Sequence, residues 1–197
     1  VTASNDNKTY DGQAYTGGNG VTYAGFVNGE TSSTALGGAV VYGGTSQNAI
    51  NAGTYAITSS GLTASNYTLT YVNGTLTVNK ANAVVTANSD TYTYNGLARS
   101  ASGFTATGLV NGETASVLTG VSVTGSGTNA GTYTTTASGT DTNYNLSFVT
   151  GTMTIGKAPL TVTASNASKT YDGQAYTGGN GVTYAGFVNG ETSSTAL

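Results

Sequence analysis

The chain has no cysteine, histidine or tryptophan, a single proline, and only 7% charged residues, for a formal net charge of −3 over 197 residues. Each absence closes a route. Without cysteine no disulfide can staple a small core, although this leaves the redox compartment open, because extracellular proteins need not use disulfides. Without histidine and cysteine the commonest general base, thiol catalysis and nearly all transition-metal sites are gone. No catalytic residue and no cofactor-binding residue is therefore assigned, and the chain is expected not to be an enzyme. Five basic residues, Lys8, Lys80, Arg99, Lys157 and Lys169, are too few and too scattered to neutralise a phosphate backbone, so nucleic acid is excluded as a partner. No apolar run approaches the roughly 20 residues that cross a bilayer as a helix, and the N-terminus lacks a basic region followed by an apolar stretch. Any export signal or anchor is expected outside this sequence.

What is present is orderly. Thr, Ser and Asn supply neutral hydrogen-bonding surface, and 14 Tyr, 4 Phe and many Val, Leu and Ile recur at regular spacing among 30 Gly. Disorder is expected of chains with low hydrophobicity and high net charge, and this chain has material for a core.

Internal repetition settles the organisation. The opening Val1–Leu36 returns as Val162–Leu197, and the two copies differ only at Asp6/Ala167 and Asn7/Ser168. A shorter, weaker period lies inside the long one. VTASNDNKTYDG (Val1–Gly12) is echoed by VTANSDTYTYNG (Val85–Gly96), and GFVNGET (Gly25–Thr31) by GLVNGET (Gly108–Thr114). NAGTY occurs at Asn51 and Asn129, and NYTLTYVNGTLTVNKA (Asn66–Ala81) matches NYNLSFVTGTMTIGKA (Asn143–Ala158). The unit is a module of roughly 80 residues, and two alternating module types make up the long period. The domains are accordingly 1–80, 81–157, and 158–197 as the start of a third module.

The modules read as strands. Tyr67, Leu69, Tyr71, Leu76 and Val78 alternate with polar residues, as do Tyr144, Leu146, Phe148, Met153 and Ile155, which predicts half-buried strands with these side chains toward the core. Asn73-Gly74 between the two arms is a strong hairpin signal, because both central residues of a type I′ turn need positive φ. Further strands are expected at Val1–Ser4, Ala39–Tyr42, Thr54–Thr58, Val84–Ala87, Val121–Thr124 and Thr132–Thr136. Glu30–Leu36 and Glu113–Leu118 leave room for one short helical turn. The linkers at Lys80-Ala81 and Lys157-Ala158-Pro159 are very short, and Pro159 keeps Ala158 extended, so an extended rod is expected.

KTYDG (Lys8–Gly12, again at Lys169), GFVNGET, NAGTY and the closing NYTLTYVNGTLTVNKA together resemble the tandem YDG and mostly-beta-glycine-rich (MBG) repeat modules of large secreted bacterial adhesins of the filamentous-haemagglutinin-like kind. The resemblance covers essentially the whole chain. It implies an extracellular location, on the bacterial cell surface or in a secreted fibre, and a place in the stalk of such a protein. The implied fold class is all-β, with small β-sandwich-like or β-grasp-like modules. Tyr94-Asn95-Gly96 departs from Tyr-Asp-Gly, which favours a turn in which Asp or Asn serves equally over any role for the Asp11 carboxylate itself.

No metal site is assigned, and the one candidate is a calcium site at Asp6 and Asp11, with Asn5 and Asn7 as hard oxygen donors. The internal comparison weighs against it, because Asp6 becomes Ala167 in the near-identical copy. A polar turn bonding its own backbone is the competing reading. Glycosylation triplets at Asn7, Asn66, Asn73, Asn145 and Asn166 are what chance produces in such a composition, and the scarce lysines sit where exposure, not an isopeptide staple, is expected. Three functions fit the sequence. One is a spacer that touches only its neighbouring modules. Another is a binding module for cell-surface or matrix glycans, and the third is a subunit that associates with identical chains in a fibre.

Overall fold

The computed structural model describes residues 1–197. Strands hold 43% of the residues and helices 6%, which establishes the all-β class. The chain divides into two compact units, one of residues 1–85, 105–121 and 138–148, the other of residues 86–104, 122–137 and 149–197. The second sequence repeat contributes to both.

The first repeat carries β1 (Thr2–Ala3), β2 (Asp6–Thr9) and β3 (Val21–Thr22), the one-turn helix α1 (Ser32–Ala35), then β4 (Gly37–Gly43), β5 (Gly53–Thr63) and β6 (Gly74–Asn79). A four-stranded sheet runs in the order β2–β6–β5–β4, and β1 pairs with β3. β5 is antiparallel to both neighbours, whereas β2 runs parallel to β6 with Asp6 opposite Leu76 and Thr9 opposite Asn79. Period-two alternation puts Ile57, Leu76 and Val78 on the buried face and Thr75 and Asn79 outside. Helix α1 is a single turn with no fully buried residue.

The second repeat follows the same plan with β7 (Ala81–Ala87), β8 (Asp90–Thr93), β9 (Arg99–Ser100), β10 (Phe104–Thr107), a 3-10 turn at Ala115–Val117, β11 (Val121–Thr124), β12 (Ser126–Gly127), β13 (Gly131–Gly139), β14 (Tyr144–Val149) and β15 (Gly151–Gly156). Sheets run β11–β13–β15–β8 and β10–β7–β14, with a β12–β9 pair. Its registers reproduce the first repeat's. Tyr133 faces Met153 as Tyr55 faces Leu76, and β8 runs parallel to β15 as β2 does to β6. The opening of the third repeat forms β16 (Thr161–Ala164) paired with β17 (Val182–Ala185), then the one-turn helix α2 (Ser193–Ala196).

The expected hairpins do not form. Tyr67–Tyr71 is not a strand, and it reaches β1 through a single parallel bridge, Val72 to Thr2. In the second repeat the two arms are strands, but β14 belongs to the sheet of β7 and β15 to the sheet of β13. Neither Asn73 nor Gly74 has positive φ. Gly74 is required for another reason, since a Cβ there would lie 2.6 Å from the carbonyl oxygens of both Ala3 and Ser4. Gly151 is pinned the same way, 2.4 Å from Ala87 O. At these glycines the chain changes sheet while crossing the end of its module's first strand. Alternation survives because both arms are half-buried, and Phe148 alone of the expected core residues lies outside, at 39% exposure.

Candidate intermodule junction

The Asn-Gly pairs that adopt the doubly left-handed turn are those of the Val-Asn-Gly-Glu segments. Asn28 and Gly29 have φ of 53° and 73°, and the Glu30 amide donates to the Val27 carbonyl at 3.0 Å. The same turn recurs at Val110–Glu113 and Val188–Glu191 with the same 3.0 Å bond. It aims the glutamate at a tyrosine of its own module. The Tyr67 hydroxyl donates to Glu30 Oε2 and accepts from the Val27 amide at 3.2 Å. The Tyr144 hydroxyl donates to Glu113 Oε2 and accepts from the Val110 amide at 3.0 Å.

A second turn forms at Tyr10-Asp11-Gly12. Asp11 Oδ1 accepts from the Gln13 amide at 2.9 Å, and Lys8 Nζ lies 2.6 Å from the same oxygen while donating to the Gln13 carbonyl at 2.9 Å. The Lys8 ammonium holds the Asp11 carboxyl below its ordinary range. Asn95 plays the same part in the second repeat, accepting from the Leu97 amide at 3.1 Å, because an amide oxygen closes this turn as a carboxylate does.

The two turns meet across the module boundary. Tyr10 of the first repeat donates to Glu113 Oε1 of the second at 2.5 Å, so one carboxylate accepts from two tyrosines. Their rings stand edge to face, with centroids 5.4 Å apart at 82°, and the two residues are 5% and 2% exposed. Asn111 Nδ2 donates to the Gly12 carbonyl at 3.2 Å, and Gln13 Nε2 donates to Asn111 Oδ1 at 2.8 Å. A Cβ on Gly12 would sit 2.7 Å from Asn111 Cβ, so this position needs glycine for its φ of 71° and for the close approach. Beside this clasp the Ala52 amide donates to Asn143 Oδ1 at 2.9 Å, and the Ala81 amide to the Asn143 carbonyl at 2.9 Å. The clasp is repeated where the second repeat meets the third. Tyr94 donates to Glu191, Asn189 Nδ2 donates to the Gly96 carbonyl at 3.0 Å, and a Cβ on Gly96 would lie 2.4 Å from Asn189 Cβ.

The bond to Glu113 and then burial push the Tyr10 phenol up to about 12, and burial followed by Glu113 does the same to Tyr144. Both are proton donors that stay neutral at ordinary pH. The four motifs that define the repeat are thus the parts of its junction. Tyr-Asp-Gly and Asn-Ala-Gly stand at one end of a module, and Val-Asn-Gly-Glu and Asn-Tyr at the other.

A profile for the MBG domain (YGX type) matches residues 1–77 and 83–154. The chain belongs to the MBG domain family. MBG domains are repeat modules of surface proteins. No curated protein and no solved structure gives a significant match to the chain. No helix is long and apolar enough to cross a membrane. Between the two MBG matches lies Lys80, whose Nζ donates to the Asp141 carbonyl at 2.6 Å, so the short linker is itself tied to the next MBG module.

Within the first MBG module the two candidate calcium ligands have separate partners. Asp6 accepts from the Asn7 amide and from the Tyr15 hydroxyl, each at 2.8 Å, while Asp11 is taken up by Lys8 and Gln13. Burial and then the bond to Asp6 push Tyr15 up to about 12. No group of three or more acidic side chains gathers anywhere in the chain. Glu30, Glu113 and Glu191 each close the GFVNGET or GLVNGET segment of their repeat. The signal for their role is that Glu113 and Tyr10, far apart along the chain, belong to motifs that recur together in every module.

Proposed function

We propose that this chain is part of the spacer shaft of a bacterial extracellular adhesin or surface fibre, with MBG modules at 1–80, 81–157 and from 158 onward. What supports the reading is the clasp, whose tyrosine–glutamate and asparagine–glycine bonds are made at both repeat boundaries. A bead-on-string linker needs no such contacts, whereas a projecting shaft needs each module to fix the next. The contacts at each boundary are polar and close-fitting, and they are encoded in the repeated motifs themselves, so adding modules adds length without a new design. This is the economy of quasi-one-dimensional proteins, whose stability is a sum of unit and nearest-neighbour contributions.

Small-angle scattering on proteins of two, four and six MBG modules tests the proposal. The maximum dimension should rise nearly linearly with module number. A plateau would mean that the modules fold back on one another, and the spacer reading would fail.

A further inference from the structure

We infer that Asn111 is a modification site, at which spontaneous deamidation opens the clasp between the first two repeats irreversibly. The inference rests on the coupling role of the clasp and adds a covalent way out of it.

Asn111-Gly112 is an Asn-Gly pair within the doubly left-handed turn, with φ of 52° and 73°. Glycine has no Cβ to shield its backbone nitrogen, so that nitrogen can reach the side-chain amide before it. In the reaction the Gly112 nitrogen bonds to Asn111 Cγ and the Cγ–Nδ2 bond breaks. The proton of the Gly112 amide leaves with Nδ2 as ammonia. Water then opens the succinimide ring at one or other carbonyl, which leaves aspartate or isoaspartate. The only co-reactant is water, and Asn111 and Gly112 are both exposed to it.

The closed clasp blocks the first step. Asn111 Nδ2 donates to the Gly12 carbonyl at 3.2 Å and Oδ1 accepts from Gln13 Nε2 at 2.8 Å, so both ends of the amide are held by the first repeat. Asn111 Cβ is packed so closely on Gly12 that a Cβ added there would lie 2.7 Å from it. Turning Cγ toward the Gly112 nitrogen means breaking both bonds. The reaction therefore runs only through the fraction of molecules in which the turn has opened locally. Gln13 carries part of this protection, and the corresponding residue of the second repeat, Leu97, has no side-chain donor to supply it.

The product cannot return to the closed form. A carboxylate in place of the amide has no N–H for the Gly12 carbonyl, and two oxygens are left facing each other. It also places a new negative charge two residues from Glu113. Isoaspartate goes further, because it adds a main-chain carbon to a turn closed by the 3.0 Å bond from the Glu113 amide to the Val110 carbonyl. That turn aims Glu113 at Tyr10 and Tyr144, so the clasp loses its glutamate along with its asparagine. Opening is reversible until the chemistry takes place and permanent afterwards.

Incubation of the 197-residue chain in mildly alkaline buffer, followed by peptide mapping in a mass spectrometer, provides the test. The mapping counts the amide-to-acid change at Asn111 and separates isoaspartate from aspartate by retention time. Gln13→Leu, at an exposed position, removes the bond to Oδ1 and should speed the change about fivefold, and Tyr10→Phe should speed it about tenfold. The chain unfolded in urea should react faster than any of them. Asn111→Asp supplies one product directly, and its amide NMR spectrum should show Gly12 released from the clasp. Rates at Asn111 that neither variant changes overturn the inference, as does a Gly12 signal that Asn111→Asp leaves in place. The Gly12 signal of the unmodified chain separates the two readings. If it reports a closed clasp while the rates stay flat, this inference alone falls. If it reports an open one, the coupling reading falls and takes the inference with it.

Discussion

Replacing Tyr10 by Phe keeps the ring against Tyr144 and removes only the hydroxyl that reaches Glu113 at 2.5 Å. A hydrogen bond to a charged group contributes about 1.5–3 kcal/mol, and little of this is recovered from water when the donor is as buried as Tyr10. Glu113→Gln removes the charge and one acceptor from a carboxylate shared by two tyrosines, so Tyr10 and Tyr144 compete for a single carbonyl. The double variant then loses less than the sum of the singles, by about 1–2 kcal/mol of coupling. Equilibrium urea unfolding followed by circular dichroism gives the midpoints and slopes for the cycle, and unchanged slopes license the comparison. The pair Tyr10→Phe with Glu30→Gln shares no bonding partner and serves as the additive control. If Tyr10 and Glu113 are additive within about 0.5 kcal/mol, the hydroxyl–carboxylate bond does not couple the modules and the junction argument is refuted.

Alkaline pH should act on the same bonds. Tyr10, Tyr15 and Tyr144 are raised to about 12 in the folded chain against 10.0 ordinarily, so the folded state holds their protons more tightly. Their contribution is complete below about pH 10 and is lost as pH rises toward 12, and the melting temperature should fall across that window, less steeply in Tyr10→Phe. Gly74→Ala, which drives a Cβ to 2.6 Å from two carbonyl oxygens, should cost about 3 kcal/mol or more, and Gly179→Ala, with open space around it, under about 0.5 kcal/mol by thermal unfolding. Leu76→Ala or Met153→Ala should cost about 2–5 kcal/mol, whereas Phe148→Ala, at a half-open position, should cost about 1 kcal/mol in the same urea assay. A chelator should leave the melting temperature unchanged, because Asp6 bonds Tyr15 and the Asn7 amide while Asp11 is held by Lys8 and the Gln13 amide; a drop of several degrees would restore the calcium reading.

Several strands were legible from a period of two, as at Val121–Thr124, where the expected and observed spans coincide, but Tyr67–Tyr71 alternates in the same way and forms no strand. Partner choice was not legible. Tyr67–Tyr71 and Leu76–Val78 alternate alike, and alternation says that each arm has an inside without saying which strand lies beside it. The Asn73-Gly74 pair suggested a turn, yet the backbone uses that glycine for close passage and places the doubly left-handed turn at Asn28-Gly29. Asp6–Thr9 was hidden because Asn, Asp and Lys are poor strand formers, and its pairing to β6 depends on a partner about 70 residues on. The junction escaped for a related reason. Its residues advertise themselves as recurring motifs, but recurrence gives the same signal for a core position and for a surface that meets a neighbour, and only the fold brings Tyr10 to Glu113.

The parallel pairing of β2 with β6, and of β8 with β15, decides how a module meets tension. In each case an early strand of the module lies beside its last, running the same way through four matched positions. A pull on the chain before β2 and after β6 drags these two strands in opposite senses along their length. Every rung between them is then strained at once, in shear, and none can open until all have given way. Had the two strands run antiparallel, the same pull would peel the rungs apart one at a time. A chain assembled this way resists extension through backbone geometry that survives almost any change of surface residue.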